Sequence, residues 1–309
     1  MDNRRKRFWG KETIESNFVD FKVRDIEYLG EGWRSKAFLV NDEYVFRFPK
    51  EESGNKDLQK EIKVLPLLEK VISMSIPKFE YIGKQKNEFE FVGYKMLSGK
   101  IFKADEFRLL SDKRKEIIAK QVSTFMDEIN SFPVERAKEL GVLENDFFND
   151  YSETLVEYRE KVFPYIDTEI QNYITMKFEE YLNNCENFKY NPRLIHADLS
   201  LDHLIYNESK ERIEGIIDFG DMEIGDSDYD YVYLLEECGE EFVKKIMKLR
   251  NEENIHGKLK KISFFLTVDN VGIVLEGIRI KNSEMIKKGV LAIKKTGTME
   301  TRQQHYRDI

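Results

Sequence analysis

Asp198, His203 and Asp218 lie within one short stretch of chain, and two carboxylates with an imidazole at that spacing are the groups that hold a cation or move a proton. An apolar run at 193–196 leads into Ala197-Asp198-Leu199-Ser200-Leu201-Asp202-His203. A short strand is expected at 204–206, then a polar turn over 207–212, and a second strand at 213–217 that ends in Asp218-Phe219-Gly220-Asp221. In an antiparallel hairpin the start of one strand lies beside the end of its partner, so Asp198, His203 and Asp218 are expected to converge. Converged carboxylates repel, and the cost is tolerated where a metal or a proton-transfer role uses it.

The elements that must position these groups can be read from the periodicity. Residues 23–29, 37–40 and 44–48 alternate like strands, with Asn41-Asp42 as a tight turn. A helix is expected over 58–72, followed by strands over 79–82 and 89–97. At Met96-Leu97-Ser98-Gly99 the texture changes from strand-rich to helix-rich, which places the boundary between an N-terminal lobe, 1–97, and a C-terminal lobe, 98–309. Helices are expected over 111–130 with Ser111 as N-cap, and over 146–163, 167–183, 228–250, 257–281 and 283–295. The polar tail from Thr296 is expected to fray.

Two N-terminal features add to the chemistry. Leu29-Gly30-Glu31-Gly32-Trp33-Arg34-Ser35 joins two expected strands, and glycine lets backbone amides approach a phosphate with no Cβ in the way. In the expected helix Leu58, Leu65, Leu68 and Ile72 form an apolar stripe, and Glu61 falls inside it. A carboxylate facing a core needs a cation, and the candidates on the preceding strand are Arg47 and, on its other face, Lys50. The alternative is that Glu61 borders the stripe and reaches water.

The chain has 309 residues and a net charge of −8, a balance that argues against nucleic acid as a main partner and suits a cationic ligand. The most apolar stretch, 263–278, is interrupted by Asp269, Asn270 and Glu276, which excludes it as a membrane span. No secretory signal is visible at the start, and the 2 cysteines lack metal-binding spacing, so a cytoplasmic protein is expected.

Taken together, Gly30-Glu31-Gly32, a strand cation ahead of helical Glu61, His196-Ala197-Asp198 with a metal-ligand position five residues on, and Asp218-Phe219-Gly220 resemble the aminoglycoside phosphotransferases. Phe46-Arg47-Phe48-Pro49-Lys50, Val92-Gly93-Tyr94, Leu199 to His203 and Tyr231-Val232-Tyr233-Leu234-Leu235-Glu236 are similar to the 2''-phosphotransferase branch in particular. The resemblance implies an α+β, two-lobed, protein-kinase-like fold, with a small antiparallel-sheet N-lobe, a larger mostly helical C-lobe and an active site in the cleft. It implies transfer of the γ-phosphate of GTP or ATP, with Mg²⁺, to the 2''-hydroxyl of a gentamicin- or kanamycin-like drug by a monomer.

By the same resemblance Asp198 is the catalytic aspartate, and His203 and Asp218 are the metal-site residues. Gly30, Gly32, Ser35, Arg47, Lys50, Glu61, Tyr94 and Met96 serve the nucleotide, with Tyr94 controlling the depth of the purine pocket and hence admitting GTP at least as readily as ATP. Asp230 resembles the aspartate that ties down the catalytic loop. Ser200, Glu236 and Asp269 are the expected substrate contacts, although the polar line through Glu276 and Arg279 has an internal ion pair as a competing reading. Two departures stand out. Arg47 occupies the place of a phosphate-binding lysine, which leaves Lys50 as an alternative phosphate contact. His203 stands where an Asn is usual, and an imidazole is an unusual ligand for hard Mg²⁺, so it either ligates directly, acts through water or holds the loop. The other readings of the same residues are a kinase for another small alcohol, such as choline, homoserine or a sugar, and a nucleotide-binding module without turnover.

Overall fold

The computed structural model describes residues 2–305, with side chains to residue 297. In chain order its elements begin with α1 (Asn3–Asn17), β1 (Ile26–Glu31), β2 (Ser35–Val40), β3 (Tyr44–Pro49), α2 (Glu52–Leu68), β4 (Phe79–Lys84) and β5 (Glu90–Lys95). There follow β6 (Lys100–Ile101), α3 (Ala104–Leu109), α4 (Asp112–Asn130), α5 (Val134–Glu139), α6 (Phe147–Lys161), α7 (Thr168–Leu182) and β7 (Arg193–Ile195). The remainder comprises β8 (Leu204–Asn207), β9 (Arg212–Ile216), β10 (Glu223–Gly225), α8 (Val232–Cys238), α9 (Glu240–Leu249), α10 (Ile255–Arg279) and α11 (Ser283–His305). These elements form two compact units: residues 1–142 with 200–222, and residues 143–199 with 223–309. No helix among the described residues is long and apolar enough to cross a membrane.

The first unit is built on an antiparallel sheet of order β1-β2-β3-β5-β4. Tyr44, Phe46 and Phe48 alternate onto one face of β3, where Phe46 and Phe48 join Ile14, Val23, Phe38, Val40 and Phe91 in a closed core. Each such side chain contributes about 1.5–3 kcal/mol of transfer free energy. The turn from β2 to β3 has Asn41 and Asp42 both at φ 56°, the left-handed pair that a tight hairpin turn of the primed type requires. A third layer, the short sheet β6-β8-β9, carries the expected hairpin, with Leu204 opposite Ile216 and Ile205 opposite Gly215.

Gly93 is a close-approach position, because a Cβ there would stand 2.4 Å from Cε1 of the fully buried Phe46 directly across the strand pair. Gly93→Ala is expected to destabilise the protein by about 1–3 kcal/mol through overpacking, measured as a lowered urea midpoint; an unchanged midpoint means the sheet can shift to admit a methyl group.

The second unit is mostly helical and carries a short strand pair, β7 with β10. Its core is aromatic: Phe147, Tyr151, Tyr181, Phe264 and Phe265 pack ring on ring, with Tyr181 and Phe264 stacked at 3.9 Å. The expected N-cap Ser111 forms in the first unit, accepting from Arg114 N–H, and the structure adds two of the same kind here, Asp146 accepting from Asn149 N–H and Asp167 from Ile170 N–H.

Several expectations are corrected. Helix α1 is absent from the sequence reading, because its apolar positions are few; Trp9 nevertheless packs on Phe38 and Phe48, and Ile14 is wholly buried. The helix expected over 58–72 is α2, which starts earlier and ends at Leu68. Its poor N-terminal turn is retained by packing, since a Cβ on Gly54 would meet the Arg34 carbonyl oxygen at 2.7 Å. The helix expected over 228–250 is broken into a 3-10 turn (Ser227–Tyr231), α8 and α9, with Gly239 at φ 85° making the second break. Helix α11 continues past Thr296 to His305 where fraying was expected, and residues 306–309 lie outside the described residues. The lobe boundary after Leu97 marks the end of the large sheet, whereas the first compact unit also takes in 98–142 and the hairpin.

Candidate active site

In the first unit, Arg47 on β3 and Glu61 on α2 meet in a two-pronged ion pair, Nη1 donating to Oε2 at 2.9 Å and Nη2 to Oε1 at 3.0 Å. Glu61 is fully buried, and burial pushes its carboxyl up to about 6 against the opposing pull of Arg47. Burial alone would disfavour the Arg47 cation, but Glu61 and then Asp218 outweigh it and hold the guanidinium charged. Of the two candidate partners for Glu61, the structure selects Arg47. Lys50 Nζ instead donates to the Gly32 carbonyl at 2.6 Å and so braces the glycine loop.

Nη2 of Arg47 also donates to Asp218 Oδ1 at 3.2 Å, and the other oxygen, Oδ2, lies 3.6 Å from His203 Nε2. The hairpin brings these groups together, because Ile217 N–H donates to the His203 carbonyl at 3.0 Å, closing the open end of β8 and β9. Asp218 takes φ 64°, a left-handed conformation that turns the chain out of β9. The far side of the imidazole, Nδ1, is 3.3 Å from Ser200 Oγ, so Ser200 is buried against His203.

The glycine loop spans the end of β1 and the start of β2, with Gly32 N–H donating to the Ser35 carbonyl at 3.0 Å. Gly30 sits at φ 149°, where a side chain would be strained, and no atom lies within 4 Å of the Cβ position at Gly30 or Gly32. Tyr94 is buried on β5 opposite Val45. Burial pushes its hydroxyl up to about 12, with Arg47 pulling the other way. Met96 has an exposed side chain, and its N–H donates to the Glu43 carbonyl at 2.8 Å; a purine could therefore meet its carbonyl but not its amide.

Among the described residues no cluster of three or more His, Cys, Asp or Glu side chains could by itself hold a metal ion. Mg²⁺ does not need such a cage: it is commonly held by one or two carboxylates, with phosphate oxygens and waters completing the octahedron. Asp218, its side chain 47% exposed, fits that donor pattern, while His203 is placed to orient the carboxylate and is a poor ligand for a hard cation.

The second unit holds Asp198, on the segment that follows β7. Ala197 before it is at φ 63°, and the strained turn is clamped by Asp230, whose Oδ1 accepts from Ala197 N–H at 2.8 Å and Oδ2 from His196 N–H at 3.2 Å. Burial pushes Asp230 up to about 6, the two amides pull it down, and Asp198 adds an upward push. Asp198 N–H itself donates to His196 Nδ1 at 3.3 Å.

Asp230 is delivered by the 3-10 turn, and that turn is pinned to α10 by buried ion pairs that the sequence reading missed. Lys261 reaches Asp226 and Asp228, each at 2.5 Å, and Lys258 reaches Asp228 at 2.6 Å. The spacing of Lys258 and Lys261, one turn apart at the start of α10 and just ahead of its apolar run Ile262 to Val268, is the signal that could have found them.

Asp269 on α10 accepts from Tyr229 Oη at 2.9 and 3.0 Å. Burial drives its carboxyl up to about 7; the Tyr229 and Tyr233 hydroxyls oppose this, and Asp198 and Glu236 reinforce it. Asp198, Glu236 and Asp269 thus share one electrostatic neighbourhood, with Glu236 exposed on α8. Glu276 is taken up by Arg279 in a two-pronged pair at 2.5 and 2.6 Å, which is the competing reading of that polar line.

In the first unit a cation bridges a sheet strand to a helix and a left-handed Asp follows a hairpin, and in the second an aspartate loop is clamped from behind; each is an arrangement that phosphoryl-transfer enzymes of the protein-kinase-like fold use. The chain belongs to the phosphotransferase enzyme family, whose model matches residues 25–250. It is 39% identical to the protein in the GDP and kanamycin complex of APH(2")-IIia, with a TM-score of 0.90 over 93% of this chain and 97% of that one. The GDP complex of wild-type aminoglycoside 2'-phosphotransferase-IIIa matches at 38% identity and a TM-score of 0.92 over 95% and 99% of the two chains. The gentamicin complex of APH(2")-IIa matches at 27% identity and a TM-score of 0.74 over 95% and 96%. The α+β kinase-like fold and the family read from the motifs are borne out.

Proposed function

We propose that this protein is an aminoglycoside 2''-phosphotransferase that moves the γ-phosphate of GTP, or of ATP, to a drug hydroxyl. The observation that carries the reading is the likeness, over 93% of the chain, to a phosphotransferase solved with GDP and kanamycin. Residues 1–97 are assigned to nucleotide binding and 98–309 to catalysis and substrate binding, in a cytoplasmic monomer that needs no nucleic acid or membrane.

The glycine loop from Gly30 to Ser35 and the guanidinium of Arg47 receive the triphosphate, with Lys50 fixing the loop through Gly32. Tyr94 walls the purine and Met96 offers its carbonyl to the base. Asp218 would hold Mg²⁺ and His203 would orient that carboxylate; the ion, when bound, neutralises charge on the phosphates. Asp198 accepts the hydrogen bond of the attacking 2''-hydroxyl and orients it in line with the γ-phosphorus, while Asp230 keeps Asp198 in place through the loop amides. Glu236, Asp269 and Ser200 are assigned to the drug, the two acids pairing with its ammonium groups.

The test is nucleotide turnover across a panel of aminoglycosides with each nucleotide. Turnover with kanamycin and none with choline supports the proposal; transfer to choline or a sugar alone, or nucleotide binding without transfer, overturns it.

A pH dependence follows from Asp269. With its carboxyl near 7, the acid is mostly neutral at pH 6 and mostly ionised at pH 8, and only the ionised form pairs with an ammonium group. The affinity of the wild-type protein for kanamycin, relative to that of Asp269→Asn, is expected to rise several-fold, by about 5- to 10-fold, between pH 6 and pH 8. Calorimetric titration of both proteins at the two pH values checks this, and a constant ratio removes Asp269 from the drug site.

A further inference from the structure

Arg34, in the second half of the glycine loop, sits in a bridge that repeats the one made by Arg47. Its Nη1 lies 2.5 Å from Asp57 Oδ2 on α2 and 2.7 Å from Asp221 Oδ1 in the turn after Asp218. Arg47 joins Glu61, one helical turn further along α2, to Asp218, three residues earlier in the same turn. Two arginines, one in the glycine loop and one on β3, thus connect two acids on one face of a helix to two acids on one turn, and a third link, from Lys60 Nζ to the Met222 carbonyl at 2.7 Å, runs in parallel.

The inner bridge involves residues of the phosphate and metal sites. The side chains of the outer bridge have no assigned contact in either site, yet Arg34 belongs to the glycine loop itself. Arg34 is held through its backbone as well: its carbonyl accepts from Lys50 N–H at 2.8 Å, and α2 approaches so closely at Gly54 that a Cβ would lie 2.7 Å from that oxygen. The loop tip before it carries the exposed Trp33 and the two open glycines, and the guanidinium, itself 44% exposed, ties this part of the loop to α2 and to the Asp218 turn by ion pairs.

We infer that Arg34 is a positioning residue: its bridge to Asp57 and Asp221 locks the glycine loop to the Asp218 turn, so that the loop amides and the Asp218 carboxylate are presented to the triphosphate as one unit. The inference rests on the phosphotransferase reading and deepens it. An exposed pair of this kind is worth little in overall stability, but it acts at the hinge of a loop that otherwise has glycine freedom. Its effect is expected in how long a nucleotide phosphate stays bound, not in whether the protein folds.

The experiment is the dissociation rate of a fluorescent GDP analogue, with guanosine affinity as control, for the wild type, Arg34→Gln, Asp221→Asn and the double variant. Each single change is expected to speed release of the diphosphate about three- to fivefold, and the double change to do no more than either alone. Guanosine affinity is expected to stay constant, since the nucleoside has no phosphate for the loop to hold, and Arg34→Lys is expected to restore part of the loss. Unchanged release in both single variants, additive effects in the double variant, or an equal loss for guanosine overturns the inference. A wild-type protein that binds neither GDP nor ATP overturns the phosphotransferase reading instead, and the two failures are therefore distinct.

Discussion

Asp198→Asn is expected to lower the rate of phosphate transfer by about 10²–10⁴-fold while leaving GDP affinity within twofold or so of the wild type. The substitution keeps size and shape and removes only the capacity of a carboxylate to take up a developing proton. The backbone should not react, because the loop is fixed by the His196 and Ala197 amides on Asp230 and by the Asp198 amide on His196, none of which uses the Asp198 side chain. Drug-dependent GDP release measured beside nucleotide binding gives both numbers. Near-normal turnover would remove Asp198 from the chemistry, and a parallel loss of GDP binding would mean that the side chain supports the nucleotide.

The second large effect belongs to the pair Arg47 and Glu61. Arg47→Met strands a carboxylate that has no exposed surface, and breaking a buried pair from one side costs about 3–5 kcal/mol. Replacing both, with Arg47→Met and Glu61→Leu, is expected to recover most of that stability, because two apolar groups of similar volume need no partner. Nucleotide affinity should not recover, since Arg47 also reaches Asp218 at 3.2 Å. Urea denaturation of the three proteins, with GDP binding measured alongside, separates the roles. If the double variant regains nucleotide affinity, the arginine serves the fold alone.

What could be read from the sequence was what local rules decide. Ser111 was legible as a cap because it bonds an amide three residues away, and Asp146 and Asp167, which mark the starts of the next two expected helices, cap them in the same way. Glu61 was legible because an acid inside an apolar stripe demands a cation, and the strand before it supplied two. The hairpin was legible from alternation. Relations carried by distance in the chain were not: nothing local ties Arg34 to Asp221, or Lys261 to Asp226 and Asp228. Helix α1 escaped because its apolar positions are too few to show a period, and its anchorage comes from Trp9 and Ile14 packing on the distant sheet. The three-residue strand β10 has too few positions to show a period and exists because β7 pairs with it.

The way the two units share the chain has a consequence for biosynthesis. Strand β6, at Lys100–Ile101, finds its partner in β8, where Lys100 lies opposite Tyr206. The ribosome must therefore make the whole of 143–199, which belongs to the other unit, before that edge can be satisfied. At typical elongation rates the nascent strand waits roughly 5–20 s with its amides unpaired. Slow codons or a stalled ribosome in that interval would prolong the time for which this edge stays open, and its shortness and its lysine limit the hazard.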